Sequence, residues 1–214
     1  MHDDSNAALV AGAGKSGRTF ARYSIVAIGA SAGGLEAVSA ILHDLRADFR
    51  SPILVVLHLH PDYTSHVADI LRRCTKLRVQ DAQEHDALQR GVAYLATPDR
   101  HLLISAGQIV LSHSPAVNFS RPSIDMTFDS VVKAYGSKVI GVILSGSGKD
   151  GSEGLRAIKL AGGFTIVEDP QTARFPAMPT AAVSASNVDC VLPLKDIGAL
   201  LVKLSKQARG SAGR

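Results

Sequence analysis

Ser24-Ile25-Val26-Ala27-Ile28-Gly29-Ala30-Ser31-Ala32-Gly33-Gly34-Leu35 is the stretch whose reading decides how this chain folds. Ser24 to Ile28 is an apolar run with no polar alternation, which suits a strand buried on both faces, as in a parallel sheet. A periodic helix begins near Leu35, and the glycines between the two mark a tight strand-to-helix turn. Gly29-Ala30-Ser31-Ala32-Gly33 is also a Gly-x-Ser-x-Gly pattern. A serine hydroxyl is a poor nucleophile unless a base activates it. Enzymes that use one hold it on such a turn, beside backbone N–H groups and the positive end of a helix dipole. A structural turn or a phosphate-binding loop would use the same residues, so the pattern alone leaves the choice open.

Working outward, strands and helices alternate. Leu35, Val38, Leu42 and Leu45 recur at helical spacing, and Ile53 to Leu57 is a second buried strand. Val67, Ile70, Leu71 and Cys74 share one helix face; short strands are predicted around Leu77 to Val79, Val92 to Ala96, Leu102 to Ser105 and Gln108 to Ser112, the last two forming a hairpin around Ala106-Gly107. Ile124, Phe128, Val131, Val132 and Tyr135 mark a third helix and Lys138 to Ser145 another apolar strand. Then come a helix over Ser152 to Leu160 capped by Gly162 and Gly163, a strand at Phe164 to Val167, a short helix at Thr180 to Ser186, a strand at Val188 to Pro193 and a closing helix at Asp196 to Lys206. This order predicts an α/β fold: a three-layer, doubly wound, mainly parallel sheet with helices on both faces and a β-hairpin.

The 214 residues, 46% of them apolar, suffice for one core. Residues 1–21 and 207–214 lack sustained apolar periodicity and read as disordered tails around a domain spanning 22–206. No secretory leader and no bilayer-length apolar run is found, so a cytoplasmic protein is expected, without membrane insertion. Cys74 and Cys190 stand far apart without metal-ligand spacing and are expected as reduced, mostly buried thiols. The net charge is +4, but much of the excess lies in the tails. Arg72, Arg73, Lys76 and Arg78 are the one compact basic group, and with 5% aromatics and no Trp a base-stacking nucleic-acid surface is not expected.

In a doubly wound sheet the reactive loops lie beyond the carboxyl ends of the strands. Three such ends carry unusual chemistry: Ser31 after the first strand, His58 directly after Ile53-Leu54-Val55-Val56-Leu57, and Gly146-Ser147-Gly148-Lys149-Asp150-Gly151 after the strand ending at Ser145. A nucleophile, a base and a carboxylate to orient the base appear in that order. Proximity to the strand end favours His58, but His60 points to the same side of an extended segment and the pattern does not separate them. Asp150 in a glycine-rich turn also has an ordinary reading as a helix N-cap.

Other motifs fail. Gly12-Ala13-Gly14-Lys15-Ser16 resembles the end of a phosphate-binding loop, but the required first glycine falls on Leu9 and no strand precedes it. Gly29 to Gly34 has Ser31 where a dinucleotide fingerprint needs its second glycine. His58, His60 and Asp62 lack a second ligand group for a metal. No cofactor and no metal is expected.

Taken together, Ile28-Gly29-Ala30-Ser31-Ala32-Gly33-Gly34-Leu35-Glu36-Ala37, His58-Leu59-His60-Pro61-Asp62-Tyr63-Thr64, Arg121-Pro122-Ser123-Ile124-Asp125 and Gly141-Val142-Ile143-Leu144-Ser145-Gly146-Ser147-Gly148-Lys149-Asp150-Gly151 resemble the catalytic domain of the chemotaxis protein-glutamate methylesterases, the CheB family. The resemblance runs from about Tyr23 to Lys206 and includes Glu168-Asp169-Pro170 and Met178-Pro179. It implies Ser31 as nucleophile, His58 rather than His60 as base, and Asp150 as the group that orients it. It further implies hydrolysis of γ-glutamyl methyl esters on the cytoplasmic helices of chemoreceptors or related signalling proteins, with glutamine deamidation as a second activity. Backbone N–H groups near Ala32 and Ser147 are the expected oxyanion donors. The family commonly has methionine where this chain has Ser147, and threonine where it has Ala32, changes that spare backbone donors but reshape the pocket. The usual member carries a phosphorylatable receiver domain ahead of the catalytic one. Nothing before Tyr23 is patterned like that domain, so the sequence is either a stand-alone form or a piece of a longer protein, and for a stand-alone form activity independent of phosphodonors is expected. Two competing readings are a non-catalytic signalling module of the same fold and a general carboxylester hydrolase.

Overall fold

A computed structural model of the protein describes residues 24–58 and 66–206. The tails, His60, Asp62 and the Gly12 to Ser16 motif lie outside the described residues.

The opening strand, β1 (Ile25–Ala30), is buried along its whole length and pairs in parallel with β2 (Ile53–Leu57) on one side and β7 (Val139–Ile143) on the other. β3 (Arg78–Asp81) and β4 (Val92–Leu95) extend the sheet beyond β2, and β8 (Phe164–Glu168) and β9 (Cys190–Leu192) beyond β7. The order is β3-β4-β2-β1-β7-β8-β9 with every neighbouring pair parallel. β5 (His101–Ser105) and β6 (Gln108–Ser112) form the separate antiparallel hairpin.

Period-two alternation along the central strands sorts the side chains into two cores. Ile28, Ala30, Val55 and Leu57 pack with α1 (Gly34–Asp44), α2 (Val67–Cys74) and α6 (Leu194–Lys206). Ala27, Leu54, Val56 and Ile143 pack with the hairpin, α3 (Ile124–Tyr135), α4 (Ser152–Leu160) and α5 (Ala177–Ala185). The predicted three-layer, doubly wound fold with its hairpin is therefore the observed one. The direction of winding reverses between β1 and β7, which places the crevice of such folds at the carboxyl ends of these two strands.

Three elements near the end of the chain begin two or three residues from where they are expected. α5 begins at Ala177 rather than Thr180, because Pro179 sits in the first turn, where its missing N–H is no loss. β9 is shorter than the Val188 to Pro193 run, and α6 begins two residues earlier, at Leu194 directly after Pro193. Both cysteines are half-buried rather than buried. Among the described residues no helix is long and apolar enough to cross a membrane.

Candidate active site

Ala30 and Leu57 are register partners at the ends of adjacent parallel strands, so Ser31 and His58 are the next residues on each chain. The His58 N–H donates to Ala30 O at 3.1 Å, carrying the pairing one step past β2. Alternation then puts both side chains on the α3 face of the sheet, continuing the Ala27 and Val56 rows. Ser31 itself is pinned to the loop after β7 by its N–H, which donates to Ser145 O at 3.0 Å. Gly33, with φ of 69°, makes the left-handed step that starts α1 immediately afterwards, a conformation that side chains bearing a Cβ resist.

Asp150 arrives from the loop after β7. Its Oδ2 lies 3.0 Å from His58 Nε2, with the carboxylate almost fully buried and the ring largely so. The ring N–H is not in line with the carboxylate, so Nε2 is enclosed at ion-pair distance without a well-directed hydrogen bond. No hydrogen bond joins Ser31 Oγ to His58 among the described residues. The two are neighbours by register, and because Nε2 faces Asp150, Nδ1 is the ring nitrogen left for a proton from another group. Such contacts often tighten only when substrate is bound.

The N-cap reading of Asp150 is half right, in an unexpected way. Gly151, without any side-chain bond, caps α4. Asp150 instead accepts from the start of a different helix, α3: Ile124 N at 2.7 Å to Oδ2, Asp125 N at 3.2 Å and Ser123 Oγ at 2.9 Å to Oδ1. Asn118 Nδ2 adds a further donor at 3.2 Å. A carboxylate facing two helix N-terminal amides and the positive end of the helix dipole is strongly favoured as an anion. Burial opposes that charge, but the His58 ring, the Ile124 N–H and Asn118 outweigh it and hold Asp150 down at about 2. The opposite holds for its neighbour Asp125. Burial, only partly countered by the Gly154 N–H at 2.7 Å, and the nearby Asp150 charge push it up to about 6.

α3 comes this close because Gly29 lets it. A Cβ on Gly29 would meet Ile124 Cγ2 at 2.4 Å.

A second knot fixes the serine loop from the other side. Ser145 Oγ donates to Ala32 O at 3.0 Å and accepts from Phe175 N at 3.0 Å, while Ser145 N donates to the buried Glu168 Oε2 at 2.7 Å. Burial raises the Glu168 carboxyl above its ordinary value, against the pull of that N–H. A methyl on Gly146 would stand 2.9 Å from Ser31 Cβ, so the two loops touch. Among the described residues the Ala32 and Ser147 N–H groups have no backbone acceptor, whereas those of Ser31 and Gly146 are used. Exposed Ser147 also lines an open cavity of about 400 Å³ with Phe175, Pro176, Ala177, Thr180 and Ala181.

Compared with known proteins, residues 26–201 match the family model described as CheB methylesterase. The chain belongs to the CheB methylesterase family. A putative protein-glutamate methylesterase/protein-glutamine glutaminase of Leptospira interrogans is 39% identical over 185 residues, which are 86% of this chain and 96% of that protein. Protein-glutamate methylesterase/protein-glutamine glutaminase 2 of Anaeromyxobacter dehalogenans is 41% identical over 186 residues, and there the match spans 54% of the relative's length. Among solved structures the CheB methylesterase catalytic domain of Thermotoga maritima superposes with a TM-score of 0.81 at 35% identity, covering 85% of this chain and 98% of that one. The chain is thus a member of a family of hydrolases, matched over the catalytic domain. The candidate site at three strand ends, which chain order singles out, lies within the matched residues. Sequence reading missed the groups that hold it, Asn118, Ser123, Asp125, Ser145 and Glu168. Of these, Ser123 and Asp125 sit in the Arg121-Pro122-Ser123-Ile124-Asp125 motif and Ser145 and Glu168 in quoted motifs too, yet nothing in the spacing says what they bond.

Proposed function

We propose that this chain hydrolyses γ-glutamyl methyl esters on chemoreceptor proteins, with Ser31 as nucleophile, His58 as base and Asp150 as the anion that orients and stabilises it. The observation that carries the reading is the junction of β1, β2 and β7, where Ser31 and His58 share a face and His58 Nε2 lies 3.0 Å from an Asp150 kept ionised. Ser31 Oγ attacks the ester carbonyl carbon as His58 Nδ1 takes the hydroxyl proton. The tetrahedral oxyanion is met by the Ala32 and Ser147 N–H groups. Collapse expels methoxide, which leaves as methanol with the proton from His58. Water then attacks the acyl-serine by the same route, releasing the glutamate carboxylate and restoring Ser31. A glutamine side chain entering the same cycle releases ammonia instead, the second activity named for the relatives. General-base assistance is worth roughly a hundred- to ten-thousand-fold.

The test is methanol release from radiolabelled, methylated chemoreceptor membranes by the wild-type chain and by Ser31→Ala. Release that depends on Ser31 supports the reading. Release of equal rate from Ser31→Ala refutes the mechanism, and no release from folded wild type refutes the substrate.

A further inference from the structure

Phe119 is fully exposed, at 105% of its reference area, while every other large exposed apolar side chain described retains some cover. Its backbone makes the exposure stranger. Val117 and Ser120 exchange both backbone hydrogen bonds, at 3.1 and 2.9 Å, around a two-residue turn in which Asn118 has φ of 50° and Phe119 of 61°. Positive φ at both central positions is the hairpin turn that normally carries Asn-Gly. The first position has its Asn. The second holds a bulky aromatic in a conformation that side chains resist and glycine adopts freely. The strained backbone lowers stability and the unburied ring contributes nothing to offset it, and such outliers concentrate at functional positions.

The turn is also held rigidly. Arg121 Nε bonds Asp99 at 2.9 Å and its Nη1 bonds the carbonyls of His113 and Ser114 at 3.1 and 3.2 Å. The buried His101 ring accepts from Ser123 N at Nδ1, so its proton sits on Nε2 and is donated to Pro115 O at 3.1 Å. At the tip, Asn118 Nδ2 reaches both Asp125 and Asp150, at 2.8 and 3.2 Å. Phe119 therefore stands one residue from a side chain that touches Asp150, which touches His58. On the serine loop, the partly exposed Phe175 ring lies 3.0 Å from where a Gly33 Cβ would be. Contacts thus run from the Asn118-Phe119 turn through Asp150 and His58 to the Ser31 loop, on which Phe175 packs.

We infer that Phe119 is a preorganised anchor that grips the protein substrate beside the ester, an inference that rests on the hydrolase reading above. An aromatic carried on a backbone held this way gains by burial against a protein surface and has few side-chain torsions to lose in doing so, which is the character of an interface hot spot. A small free ester carries no surface against which the ring could be buried, so the anchor selects for protein-borne esters.

Phe119→Gly gives the turn its preferred residue and leaves Asn118, Asp150 and His58 in place. In the methanol-release assay on methylated receptor membranes, KM should rise about tenfold or more with kcat little changed, the pattern of lost binding rather than lost chemistry. The thermal midpoint should stay level or rise, and Phe119→Tyr should restore most of the lost affinity. An unchanged KM overturns the inference while leaving the hydrolase reading intact. A fall in kcat at unchanged KM also overturns it, since the turn would then act through Asn118 on Asp150. No release from wild type overturns the reading and this inference with it.

Discussion

Replacing Gly29 by alanine tests whether the approach of α3 to the central strand is what builds the carboxylate site. The added methyl would meet Ile124 Cγ2, Cδ1 and Cγ1 at 2.4, 2.9 and 3.0 Å. Carbon atoms in contact prefer about 3.5–4.0 Å, so either the Ile124 side chain or the first turn of α3 must retreat by about 1 Å. Overpacking of this kind costs about 1–3 kcal/mol. If the helix moves, the 2.7 Å bond from Ile124 N to Asp150 stretches past hydrogen-bond range. Losing a bond to a charged group adds about 1.5–3 kcal/mol. Ile124→Ala alone should cost about 2–5 kcal/mol, because the side chain is fully buried. Together the two changes should cost less than their sum by about 2 kcal/mol or more, since the new methyl occupies the space vacated by Ile124. The assay is a double-mutant cycle by urea unfolding, run with methanol release on the same variants. Gly29→Ala should lose activity, and the double variant should recover part of it. Additivity within about 0.5 kcal/mol would refute the reasoning.

Asp150→Asn should cost about 2–3 kcal/mol at neutral pH and most of the activity, because an amide turns an NH2 towards donors that now converge on a carboxylate; urea midpoints and initial rates check both. Stability should fall as pH rises from the ordinary carboxyl value of 3.8 to about 6, because over that window the folded chain keeps a proton on Asp125 that the unfolded chain has lost. Asp150 acts with the opposite sign lower down: its stabilisation is present above 3.8 and is lost as pH falls towards about 2. Asp125→Asn should flatten the upper slope in urea midpoints measured between pH 4 and 7, and a slope that survives unchanged would assign it to another group. Ser145→Ala removes the bonds to Ala32 O and from Phe175 N, and should lower kcat with a stability loss of about 1–3 kcal/mol, whereas Ser145→Thr, which keeps the hydroxyl, should retain most of both.

Much of the candidate site was legible from chain order because a doubly wound sheet turns order into place. Ser31, His58 and Asp150 each follow a buried apolar strand, and parallel pairing of β2, β1 and β7 delivers strand ends to one edge whatever the loops contain. Register then settles which side chains share a face, and sequence could reach this for Ser31 and His58 because the side-chain period in a strand is two. The N-cap alternative for Asp150 had the right kind of donor on the wrong helix for a related reason. Local rules assign a capping side chain to the helix that follows it, whereas this carboxylate crosses to α3, whose start lies 26 residues earlier.

What the sequence by itself determined is therefore the layered α/β fold, the strand ends that carry chemistry and the hairpin, all of which follow from short-range periodicity and turn residues. The tertiary structure alone decided that α3 presses on Gly29 and lends its first amides to Asp150, that Ser145 ties the serine loop to Glu168 and Phe175, and that Phe119 stands unburied on a strained turn. Those outcomes depend on contacts between segments far apart in the chain. No local pattern encodes such a contact, because its energy exists only once both segments have been packed against the same sheet.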